Sequence, residues 1–124
     1  MKSLLSIITV AWIASAPLQA AEAPAEAKAS STVLISAITT NDYAAFQAQG
    51  DEKFAKALTK ELFDKVQTQL APRLKAGYDL TYLTDLNRQG HKVTLWKFTF
   101  KDGGDDAVAT LSMKDGKVTG FFIQ

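Results

Sequence analysis

The chain contains no cysteine, one histidine, three prolines and a net charge of only +1. The missing cysteines exclude disulfide scaffolds, zinc–thiolate sites, iron–sulfur clusters and thiol nucleophiles. A single histidine excludes any site that needs two. Lys and Arg number 14 against 13 Asp and Glu, so no basic excess is available to hold a phosphate backbone, and nucleic acid is excluded as a charge-driven partner. Long motifs of catalysis are absent too. There is no G-x-S-x-G elbow, no G-x-x-x-x-G-K-[ST] loop, no G-x-G-x-x-G after a strand and no H-E-x-x-H. No cofactor and no metal site is expected.

Among 124 residues, 47% are hydrophobic and 22% charged, an ordinary balance for one globular domain. The one long uncharged apolar run is Leu4 to Ala16. With Lys2 before it and Pro17 after it, residues 1–20 read as a secretory signal peptide, the run being too short to span a bilayer. Leu18-Gln19-Ala20 puts a small residue before the cut, whereas a cut after Ala14-Ser15-Ala16 would leave Pro17 next in line. No cysteine sits at the cut, so a bacterial lipoprotein is excluded. The expected location is periplasmic or secreted, with no membrane contact after cleavage. Loss of Lys2 makes basic and acidic residues equal in number. The remaining ~104 residues can bury roughly 65% of the unfolded chain's surface, enough for one modest core.

Residues 21–30 (AEAPAEAKAS) lack aromatic and β-branched side chains and read as a tether, disordered or loosely helical. The domain is then expected over residues 31–124. Ser30 or Ser31 is placed to cap a first helix through Ile38, and Thr39-Thr40-Asn41-Asp42 to end it and begin a short second one before Gly50. Phe54, Leu58, Leu62, Val66 and Leu70 recur every four residues as one apolar helical stripe, with Thr59 able to cap a fresh start within it. Pro72 suits the first turn of a further short segment that stops at Gly77.

From Tyr78 the period changes to two. Tyr78, Leu80 and Tyr82 alternate with polar neighbours, Gln89-Gly90 marks a turn, and Trp96, Phe98 and Phe100 share one face of His91 to Lys101. Asp102 to Asp105 is a second turn, Ala107 to Met113 a third strand, Asp115-Gly116 a type I′ hairpin signal, and Val118 to Ile123 the last strand. Helices followed by an antiparallel four-stranded meander make an α+β fold, helices on one sheet face.

Phe46, Tyr78, Tyr82, Trp96 and Phe98 form the candidate ligand-binding group. Either they are plain core, or they line a pocket between sheet and helices with tyrosine hydroxyls as polar fixtures. His91 sits beside a turn where exposure is expected, and Asp102, Asp105 and Asp106 lack calcium-loop spacing and read as a solvated hairpin tip. No catalytic residue is assigned.

Two stretches carry a resemblance. Asn41 to Leu70 resembles the "ND-aromatic-x-x-Phe" helical opening of small cone-shaped domains, and LWKFTFKDGGDDAVATLSMKDGKVTGFF resembles their terminal meander. The family is a bacterial domain of unknown function with the nuclear-transport-factor-two-like fold, shared with SnoaL-like cyclases and ketosteroid isomerases. The resemblance implies a helical layer cupped by a curved sheet around a pocket. The ketosteroid-isomerase catalytic pattern has no match in this sequence, so no catalytic residue follows. The aromatic strand face, the neutral charge and the missing motifs lead to the expectation of a non-catalytic exported domain that binds a small apolar ligand or a protein partner, with a homodimer among the forms it can take; the alternative is a small lyase or isomerase pairing a carboxylate such as Asp79 or Asp85, or the His91 ring, with Tyr78 or Tyr82.

Overall fold

The computed structural model describes residues 22–124. The signal-peptide reading of residues 1–20 lies outside the described residues. Four helices precede four strands, α1 (Ala25–Thr40), α2 (Tyr43–Ala48), α3 (Glu52–Ala57), α4 (Lys60–Lys75), β1 (Tyr78–Arg88), β2 (His91–Phe100), β3 (Ala107–Lys114) and β4 (Lys117–Ile123). The fold is the expected α+β arrangement, helices packed on an open antiparallel sheet of order β1-β2-β3-β4, consistent with a nuclear-transport-factor-two-like cone.

The first helix begins earlier than the sequence suggests. Residues 25–30, expected in a tether, form the opening turns of α1, and Ala27 and Ser30 are buried. Ala27, Ser31, Leu34 and Ile38 lie on one helical face, so alanine and serine serve as close-packing residues where large apolar side chains were sought. Ser31 and Thr32 do not cap the helix; their hydroxyls donate back to the Lys28 carbonyl at 2.9 Å each. At the far end Asn41 takes the left-handed conformation (φ 58°). The Asn41 and Asp42 amides then close on the Ile38 and Ala37 carbonyls, the paired bonds of a Schellman ending.

Each later helix opens on a side-chain cap. Asp42 accepts from the Ala45 amide, Asp51 from Phe54 and Thr59 from Leu62. The cap at Thr59 splits the expected stripe into α3 and α4. A row spaced by four residues also drifts about 40° per step around a helix of 3.6 residues per turn. Consequently Phe63, Leu70, Ala71 and Leu74 form the buried face of α4, while Leu62 and Val66 remain exposed. Pro72 does not start a new segment but lies within α4, and Gly77, with φ 111°, follows the helix.

Strand boundaries follow the alternation. Gln89-Gly90 and Asp115-Gly116 all have positive φ, as type I′ turns require. Cross-strand register puts Tyr82, Trp96, Ala109 and Ile123 in one row facing the helices. The core gathers Leu34, Ile38, Phe46, Phe63, Phe98, Leu111 and Val118 between the two layers. Within it the Trp96 indole donates to the buried Thr94 hydroxyl at 2.8 Å, so its polar atom is satisfied.

Candidate functional site

The helix layer does not close over β4. Between α4 and the ends of β3 and β4 lies a cavity of about 280 Å³, walled by Phe46, Phe54, Leu58, Phe63, Val66, Leu70, Phe121 and Ile123, with Gln69, Arg73 and Gln124 at its rim. A second, more open depression of about 440 Å³ runs on from it between α3, α4 and β4, and shares Phe54, Leu58, Val66 and Phe121. Together they make one apolar groove. The drift of the four-residue row along α4 produces it, leaving Leu62 and Val66 off the core and beside the strand edge.

Phe46 is the hub of the groove wall. Its ring lies 5.4 Å from Phe63, 6.0 Å from Phe54 and 6.0 Å from Phe121, the first and last edge-on. The short α2 that carries it is fixed by polar bonds. The Tyr43 hydroxyl donates to the Leu58 carbonyl at 2.6 Å, and the Gln47 amide donates to the Ala55 carbonyl at 2.9 Å. Both acceptors sit at the end of α3, where helix carbonyls lack partners of their own. Gly50 lies directly against the Phe54 ring, and any side chain there would displace it.

Arg73 is the charged side chain at the rim of the first cavity, and it is paired; Lys53 lines the second depression. Arg73 donates Nε–H to Asp102 at 2.7 Å and a second N–H to the Asp105 carbonyl at 2.7 Å, with its guanidinium 3.8 Å above the Phe100 ring. The hydrogen bond to Asp102 raises the Arg73 pKa, and the hydrogen bond from Arg73 holds the Asp102 carboxyl below its ordinary value. The Asp102–Asp106 segment is therefore a docking loop for α4 as well as an exposed turn. Among the described residues no cluster of His, Asp and Glu is arranged to hold a metal ion.

Of the candidate ligand-binding group Phe46, Tyr78, Tyr82, Trp96 and Phe98, Phe46 alone lines the groove. Trp96 and Phe98 are buried core, Tyr78 packs on Phe98 at 5.5 Å and Tyr82 on Trp96 edge-on at 5.4 Å. The structure thus divides the candidate group: Phe46 meets the helices and β4, whereas Tyr78, Tyr82, Trp96 and Phe98 stack within β1 and β2. The other groove residues have a signal in the sequence as apolar positions and not as a site: Phe54, Leu58, Leu62, Val66 and Leu70 belong to the four-residue stripe, and Phe121 and Ile123 to the last strand.

Tyr82 and Asp85 do meet. A bulge at Leu83 shifts the register, so Asp85 pairs with Thr94 and faces the same side as Tyr82. The phenol donates to the carboxylate at 2.7 Å, which raises the tyrosine pKa. This pair lines neither part of the groove. His91 Nδ1 lies 2.9 Å from the Thr119 hydroxyl, without a carboxylate partner among the described residues. No described helix is long and apolar enough to cross a membrane. No protein-family model matches the chain, and no curated protein matches it.

Proposed function

We propose that the chain is an exported, non-catalytic domain that binds a small apolar ligand in the groove between α3, α4 and β4. The observation that carries this reading is the lining. Aromatic and aliphatic side chains wall a cavity that opens to solvent, and its one rim guanidinium already holds Asp102. A site of that kind gives hydrophobic affinity with few orienting polar groups, and it offers neither an activated nucleophile nor a poised acid. Export rests on the N-terminal pattern of Lys2, the apolar run and Pro17, and places the ligand in the periplasm or outside the cell. The resemblance to the nuclear-transport-factor-two-like domain family of unknown function belongs to the same proposal.

The lyase or isomerase reading has a specific observation behind it, the 2.7 Å Tyr82–Asp85 pair. That pair lines neither part of the groove, and a phenol that donates to a carboxylate is a poorer acid than a free one. Binding is therefore the better reading.

The test is fluorescence titration with an anilinonaphthalene sulfonate probe, followed by displacement with a medium-chain fatty alcohol. Val66→Trp fills both parts of the groove from a partly exposed position and is expected to abolish probe binding. Val108→Trp, on the opposite sheet face, is expected to leave it intact. Equal binding by the wild type and Val66→Trp would sink the proposal.

A further inference from the structure

The β4 edge is unfinished. The Val108 and Gln124 backbones exchange two hydrogen bonds, at 2.8 and 2.9 Å. Stepping by two, Thr110–Phe122 and Ser112–Gly120 are the next bonded pairs, so the N–H and C=O groups of Phe121 and Ile123 point away from β3. The chain's own Gln49–Asp51 segment satisfies the start of this edge, bonding both backbone groups of Val118 at 3.0 and 2.9 Å, and then turns away into α3. Nothing among the described residues bonds the backbone groups of Phe121 and Ile123 that face outward.

Protein edges normally carry charge, proline or a bulge against unwanted pairing. The opposite edge, β1, has Asp79, Asp85, Arg88 and the bulge at Leu83. Thr119 to Gln124 has no charge and no proline. It displays Phe122 on the solvent face of the sheet, 63% exposed.

We propose that β4 pairs with β4 of a second copy, antiparallel about a two-fold axis at Phe122. A symmetric interface must be complementary to itself. The outward-pointing residues are Phe121 and Ile123, and they are symmetric about Phe122. In this register Phe121 exchanges backbone bonds with the partner's Ile123, and Ile123 with the partner's Phe121. Phe122 then faces the partner's Phe122 as a non-hydrogen-bonded pair, with Cβ atoms about 4.5–5.5 Å apart, an aromatic cross-strand contact. The uncharged edge and the near-neutral chain raise no like-charge barrier to self-association. A standard interface buries about 800 Å² per partner, more than a short strand supplies. Leu62 and Val66, 49% and 39% exposed on the α4 flank of the same depression, extend the apolar surface. On the core-facing side the partner's Phe121 comes to lie beside Ile123, a wall of the cavity, so each copy narrows the groove of the other. The pairing stands whether or not the groove binds a ligand.

Sedimentation or light scattering across a concentration series, with amide hydrogen exchange read at each concentration, tests this. The expected result is a dimer that grows with concentration, in which the Phe121 and Ile123 amides become protected together. Because the chain has no cysteine, Phe122→Cys introduces a single thiol, expected to cross-link on oxidation while Val108→Cys stays uncross-linked. Phe122→Thr is expected to shift the mass toward monomer and return both amides to fast exchange, with an unchanged melting temperature in dilute solution. A monomer at every concentration overturns the proposal. So does a dimer whose Phe121 and Ile123 amides stay unprotected, which is face-to-face packing, or a monomer that protects them only with an added extended apolar peptide, which is peptide docking.

Discussion

Phe46 joins the two roles of this domain, since the same ring closes the core and walls the groove. It touches Phe54, Phe63 and Phe121, which come from two other helices and the last strand. Phe46→Ala is expected to cost about 3–5 kcal/mol in denaturant unfolding, because three rings lose their shared partner. The ion pair of Arg73 and Asp102 adds one contribution to the acid limb. In the folded state Asp102 is held below the ordinary carboxylate value, near 3.9 in unfolded chains. Its contribution to stability is present above that value and is lost as pH falls through the lower folded pKa. Unfolding followed from neutral to strongly acidic pH is expected to show a shallower acid slope in Asp102→Asn than in the wild type. Phe46 was legible in the sequence as an apolar helical residue. Arg73–Asp102 was not, because the partners stand 29 residues apart and no spacing rule connects a helix end to a hairpin loop.

At the scale of the elements, boundaries were most legible where a side chain has a local duty. Asp42 and Thr59 cap helices, and Gln89-Gly90 and Asp115-Gly116 supply positive φ. Thr59→Ala is expected to cost about 1 kcal/mol, read as a lower denaturation midpoint with an unchanged slope. Two elements are less legible, for physical reasons. Residues 25–30 look too small to pack, yet small side chains are what a close helix contact admits. Pro72 looks like a helix start, yet it lies in α4, whose neighbours Ala71 and Leu74 are buried. The bulge at Leu83 also escaped strict alternation, and with it the meeting of Tyr82 and Asp85.

For the molecule as a whole, a helical layer that buries the inner faces of β2 and β3 but gapes beside the C-terminal half of β4 produces both the groove and the open edge. A domain without disulfides depends on the packed part for stability. Deleting residues 25–30 is therefore expected to lower the melting temperature clearly, whereas a disordered tether would be removed without effect; thermal denaturation of the two lengths decides. The aromatic face of β2, with Trp96 and Phe98, belongs to that packed part, which explains why the richest aromatic run in the sequence is not the groove. The most direct measurement of the binding account is an amide NMR titration of the folded chain with a medium-chain fatty alcohol. Ligand binding in the groove is expected to give saturable shifts concentrated at Phe46, Phe54, Leu58, Val66 and Phe121. Shifts concentrated at Tyr82, Asp85 and Trp96, or no saturable shift, would contradict it.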